Sequence, residues 1–169
     1  MPLNQIPTRA QMLSKNILTA IAFVSFAAVG AALLSQHLLD MLPCAWCILQ
    51  RMIFILIGVV AMLGAIVPAR PFRRLALIAT LVLSALGIAA AWHQWTVAAA
   101  QFSCDQTLAD RIVSGSGLDA TMPWLFGIYA TCMDAAVSIL GFDFAVWSLL
   151  LYALFAMAAL VGLRATKAQ

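Results

Sequence analysis

Four long apolar stretches, separated by polar breaks, organise this sequence: about Ile17–Gln36, Ile48–Val67, Leu75–Trp95 and Phe144–Leu163. Each is long enough as a helix to cross a hydrocarbon core, which takes about 20 residues at 1.5 Å rise. The breaks are unequal: a short loop over about 37–47, a turn around Pro68, and a long loop over about 96–143. The pattern predicts an all-α integral membrane protein, a four-transmembrane-helix bundle forming a single domain over residues 1–169. The long loop is expected to carry a short interfacial helix, and its apolar, amphipathic stretch Gly127–Phe142, around Cys132, is read as lying on the membrane surface. The first apolar run exceeds the roughly 7–15 residues of a signal-peptide core, so it is read as a retained helix.

Composition agrees, at 65% hydrophobic and 9% charged residues. Soluble domains carry about 25% charged residues, so this chain cannot cover a water-facing surface. The few charges are segregated. Arg9, Lys15, Arg70, Arg73, Arg74, Arg164 and Lys167 flank the outer ends of the bundle or its middle turn, which share one side of a four-helix topology. The positive-inside rule then places both termini in the cytoplasm. Every acidic residue (Asp40, Asp105, Asp110, Asp119, Asp134 and Asp143) falls on the opposite side. The net charge of +3 therefore reports topology. No basic, aromatic-interleaved patch supports nucleic-acid binding.

The same topology puts Cys44, Cys47, Cys104 and Cys132 outside, where an oxidising compartment such as a bacterial periplasm permits disulfides. A local pair, Cys44/Cys47, and a distant pair, Cys104/Cys132, are the obvious partners, although four cysteines allow three connectivities. The distant pair suits a loop staple. The local pair closes too small a loop to stabilise much and suits a reactive, reducible bridge. The spacing does not match the usual paired-knuckle zinc pattern. Arg51 lies one helical turn beyond Cys47, on the same face. It is a cation at the positive end of a helix dipole in an apolar segment, an unfavourable place. Either its side chain snorkels to the headgroups, or it faces a thiolate or a ligand carbonyl.

The block Pro43-Cys44-x-x-Cys47-Ile48-x-Gln50-Arg51, the second cysteine pair before the fourth helix, and the four-helix topology together resemble the disulfide bond formation protein B (DsbB) family. The resemblance runs through nearly the whole chain. It implies a bacterial inner-membrane enzyme that reoxidises a periplasmic thioredoxin-like dithiol oxidase of the DsbA type. The partner would attack Cys104, electrons would pass from Cys104/Cys132 to Cys44/Cys47 through a transient Cys44–Cys132 bridge, and Cys47 would donate to a quinone, ubiquinone or menaquinone. Arg51 and, near the outer end of the third helix, His93 are the residues the resemblance places at the quinone. Two features depart from the family pattern: Val146 precedes Trp147 where a proline is common, and the segment between His93 and Cys104 is alanine-rich. A vitamin K epoxide reductase-like enzyme has its cysteine pairs in the reverse order. A non-catalytic assembly protein with structural disulfides leaves Arg51 without a purpose.

Overall fold

A computed structural model describes residues 9–98, 107–135, 138–139 and 141–167. Helices α1 (Arg9–Leu38), α2 (Ala45–Ile66), α3 (Arg70–Thr96) and α7 (Phe144–Lys167) form an antiparallel bundle. Between α3 and α7 lie three short helices, α4 (Leu108–Ser116), α5 (Leu118–Thr121) and α6 (Pro123–Phe126), and a two-residue antiparallel pair, β1 (Ser138–Ile139) with β2 (Phe142–Asp143).

The four long helices are all apolar and long enough to cross a membrane. They start earlier or end later than hydropathy alone suggests, because helices run past the hydrocarbon edge until a local signal stops them. At the end of α1, Asp40 takes a left-handed φ of 52°, a conformation that Asp tolerates better than most residues. At the end of α2, Pro68 pushes Val67 to an extended ψ of 120°. Pro71 enters the first turn of α3, where its missing N–H costs nothing.

Packing runs α1–α2–α3–α7, closed by α1 against α7, while α1 and α3 barely touch. Leu18, Ile57, Leu77, Tyr152 and Ala159 are fully buried at the centre. Outside, large side chains such as Phe23 (75% exposed), Leu34, Leu86 and Leu154 form an apolar mantle. A surface of this kind suits lipid as solvent, not water. Trp92, Trp95, Trp124 and Trp147 are on this outer surface, as an interfacial belt requires.

The long loop carries a short helix, α4, while the described residues of the 127–142 stretch hold turns and the small β pair. The position of the helix has a local reason. Thr107 and Asp110 form a reciprocal capping box at the start of α4, and Gly117 ends it with φ 71°. Val113 of α4 then packs with Ile48 and Phe126, which ties the loop to the start of α2.

A close approach of α3 and α7 depends on a missing side chain. A Cβ on Gly87 of α3 would stand 2.5 Å from ring carbons of Tyr152 on α7. Tyr152 cannot retreat, since its hydroxyl donates to the Gln50 carbonyl of α2 at 2.8 Å and its ring stacks on Phe54 at 4.3 Å. Gly87→Val is therefore expected to destabilise the bundle by about 1–3 kcal/mol through overpacking. Thermal unfolding in detergent checks this, and an unchanged midpoint would refute the packing described.

Candidate active site

The site begins at a chain reversal. After α1, Pro43 leads into Cys44, which occupies the N-cap of α2 with φ −90° and ψ 172°. Its carbonyl accepts from Ile48 N at 3.0 Å, but its side chain caps nothing, so the sulfur is free for other contacts. Cys47 follows within the first helical turn, and the two sulfurs stand 3.1 Å apart.

The third sulfur arrives from the long loop. The Pro43 carbonyl accepts from Tyr129 N at 3.0 Å and Ala130 N at 3.3 Å, which docks the segment after α6 onto the cysteine turn. The Thr131 hydroxyl donates to Asp134 Oδ2 at 2.6 Å and accepts from Asp134 N at 3.3 Å, shaping the turn that carries Cys132. As a result Cys132 Sγ lies 2.8 Å from Cys44 Sγ. Cys44 is thus the middle sulfur of three, and it is buried while Cys132 is partly exposed. Contact with Cys132, then with Cys47, then burial hold the Cys44 thiol protonated well above the ordinary range. The contact with Cys44 is in turn the main influence that lowers Cys132, against opposing burial.

A polar network surrounds the inner sulfur. Gln94 of α3 donates from Nε2 to Cys47 Sγ at 3.2 Å. Its Oε1 accepts from Gln50 Nε2 at 2.5 Å. Arg51 is only 5% exposed, so it does not snorkel. Its Nη1 donates to Gln36 Oε1 of α1 at 2.9 Å and to the Leu125 carbonyl at 2.5 Å, while its buried Nε has no partner among the described residues. Cys47, Gln50, Arg51 and Gln94 line one end of a cavity of ≈ 180 Å³ between α1, α2, α3 and α7. Apolar side chains including Val29, Phe54, Trp147 and Leu151 line the rest.

Of the residues singled out from sequence, the structure brings together Cys44, Cys47, Cys132 and Arg51. Cys104 lies outside the described residues. His93 is elsewhere: its ring stacks on Trp46 at 4.5 Å with a 27° interplanar angle, and it does not line the cavity. Adjacent helical residues point about 100° apart, so Gln94, not His93, faces the sulfurs. Trp46 is itself buried, 7% exposed, and is not part of the interfacial belt. Sequence reasoning missed Gln36 and Gln94 and named Gln50 only as part of the cysteine block. The available signal was three glutamines at one end of otherwise apolar spans, where each side-chain amide needs a buried partner.

A family model described as disulfide bond formation protein DsbB matches residues 14–162. Among curated relatives, disulfide bond formation protein B 1 of Pseudomonas syringae pv. syringae is 36% identical over 146 residues, 85% of each chain. Disulfide bond formation protein B of Cupriavidus metallidurans is 32% identical over 89% of this chain and 92% of its own. The Dechloromonas aromatica protein of the same name is 30% identical over 98% of both chains.

The sulfur environments make a reactivity prediction. In the fully reduced protein, iodoacetamide should label Cys132 with a pH midpoint below the ordinary thiol value of 9.0, because its thiolate is favoured. Cys44, buried and held protonated, should stay unlabelled through that midpoint. Timed quenching and peptide mass spectrometry read both sites; faster labelling at Cys44 would contradict the arrangement.

Proposed function

The chain belongs to the disulfide bond formation protein B family, membrane proteins of disulfide formation, and from that premise we propose that it is a thiol:quinone oxidoreductase serving a periplasmic dithiol oxidase of the DsbA type. The observation that carries the reading is the order of the sulfurs: Cys44 touches both Cys132 and Cys47, and Cys47 in turn lines an apolar cavity beside Arg51.

Each thiol step is a displacement that conserves electrons. A partner thiolate attacks Cys104 of a Cys104–Cys132 disulfide, and Cys132 leaves as thiolate. The second partner thiol attacks the mixed disulfide, so the partner departs oxidised and Cys104 is released. The Cys132 thiolate attacks Cys44 of a Cys44–Cys47 disulfide, forming Cys44–Cys132 and freeing Cys47. Cys104 then attacks Cys132, which restores the outer disulfide and leaves Cys44 and Cys47 reduced. Cys132, partly exposed and 2.8 Å from the buried Cys44, is placed to attack it.

A bound quinone supplies the two-electron, two-proton acceptor that returns Cys44 and Cys47 to a disulfide. The cavity suits such a ligand: its walls are mostly apolar, and its few polar groups gather at the sulfur end. The unpartnered Arg51 Nε is a buried donor in want of an acceptor, which a ring carbonyl provides. Gln94 donates a hydrogen bond to Cys47 Sγ and so fixes the position of that sulfur at the cavity. His93 acts on the site through its stack with Trp46, whose backbone lies between the two cysteines.

The proposal places the sulfurs on the periplasmic face of a bacterial inner membrane and both termini in the cytoplasm. The support is the segregation of basic residues at one end of the bundle and acidic residues at the other.

Purified protein in detergent, given a reduced thioredoxin-like partner and ubiquinone, should consume quinone absorbance in step with partner thiols. No quinone reduction by folded protein would sink the reading. Arg51→Ala should raise the quinone KM by roughly tenfold or more, the loss expected for one charged hydrogen bond, while attack at Cys104 persists. Arg51→Lys keeps the charge without the planar fork and should fall between. In Cys132→Ser with Cys104 activated as a mixed disulfide, a partner lacking its second thiol should accumulate as a complex linked through Cys104 on non-reducing gels; its absence would remove Cys104 from the entry position.

A further inference from the structure

At the end of the bundle opposite the sulfurs, α1 begins, α3 begins and α7 ends. These termini enclose a second cavity of ≈ 210 Å³, lined by Gln11, Ser14, Arg70, Arg73, Arg74 and Thr166 among others. Three of its lining residues are arginines. No acidic side chain among the described residues lines this cavity, and every Asp in the sequence lies at position 40 or between 105 and 143.

Arg73 is the unusual member. It is only 7% exposed, yet its Nε has no hydrogen-bond partner among the described residues. Its one described bond is long, from Nη1 to the Gln11 carbonyl at 3.4 Å. A buried guanidinium without an anion is costly, and packing does not explain it. The start of α3 adds to the demand for negative charge: no acidic residue stands in its first turn, and Ala69 at the N-cap has no side-chain acceptor. The dipole end and its uncapped amides therefore point the same way as the arginines.

We propose that this cavity binds a phosphate group, the chemistry that forked guanidiniums and a helix N-terminus recognise together. An anionic phospholipid headgroup and free phosphate share that chemistry, and the position at a bundle end brings either within reach. The site is separate from the sulfur relay and does not depend on the function proposed for it.

The test is binding to the intact chain in detergent, read by native mass spectrometry and by thermal shift, with phosphatidylglycerol, phosphatidylcholine and inorganic phosphate as probes. Phosphatidylglycerol should bind saturably and in preference to phosphatidylcholine. Arg73→Gln should weaken it by roughly tenfold or more, as for the loss of one charged hydrogen bond. Because a buried arginine can matter for folding, the exposed pair Arg70→Gln/Arg74→Gln provides a second variant with the same expected direction. Arg164→Gln removes a charge from the same end without lining the cavity and should leave binding unchanged. Saturable, Arg73-dependent binding of inorganic phosphate that displaces the lipid would assign the site to free phosphate. Equal weakening by Arg164→Gln would mean diffuse charge attraction and would overturn the site, as would no preference for either anionic probe.

Discussion

The buried guanidinium of Arg51 is the constraint on which the active end of this protein depends. A cation in the first turn of an apolar helix is tolerated only if acceptors reach it, and here they come from two other elements: Gln36 Oε1 on α1 and the Leu125 carbonyl beside the cysteine loop. Losing either acceptor strips the buried charge of one hydrogen bond, an effect on the order of 1.5–3 kcal/mol. The same bonds that satisfy Arg51 therefore fix the loop against α2. Once Leu125 is held, Tyr129 and Ala130 meet the Pro43 carbonyl, and Cys132 is presented to Cys44.

Disulfide exchange demands proximity and access, and burial opposes access. The structure separates the two requirements among the sulfurs. Cys44 is buried between two neighbours, which protects the central position from indiscriminate reaction. Cys132 sits on a loop turn with partial exposure, so it can face both solvent-side chemistry and the buried cysteine. Cys47 is turned toward the bundle, where Gln94 and Gln50 form a hydrogen-bonded chain and the Gln50 carbonyl accepts from Tyr152. That chain links α2, α3 and α7 around one sulfur, so the rigidity of the bundle is transmitted to the position of Cys47.

The spans and the grouping of Cys44, Cys47 and Arg51 at one helix start were legible because they rest on features local in sequence: hydropathy over about 20 residues, and the four-residue spacing from Cys47 to Arg51. The partners were not. Arg51 meets residues 15 and 74 positions away, and Gln94 meets Cys47 across 47, distances set by helix packing that periodicity does not encode. The choice between His93 and Gln94 turns on one residue of helix rotation, finer than any span boundary read from hydropathy. The loop helix is a different case: a short helix in the long loop was expected, but its bounds are set by the capping pair Thr107 and Asp110 and by Gly117, which hydropathy does not register.

Arginine is used in two ways in this chain, and the comparison separates them. Arg51 and Arg73 are both buried, each with an unpartnered Nε. Arg51 has two neutral oxygen acceptors on Nη1 at 2.9 and 2.5 Å, so its charge is spread over fixed dipoles, and what remains is one donor beside a reactive sulfur. That remainder suits a polarised carbonyl. Arg73 has one neutral acceptor at 3.4 Å and lines a cavity with two further arginines. Its surroundings add positive charge and offset almost none, so a neutral carbonyl is too weak a partner. On the two proposals made above, the ends of one bundle take different ligands, a polarisable carbonyl near the thiols and a full anion at the basic end, and each proposal follows from how completely the described residues satisfy a single guanidinium.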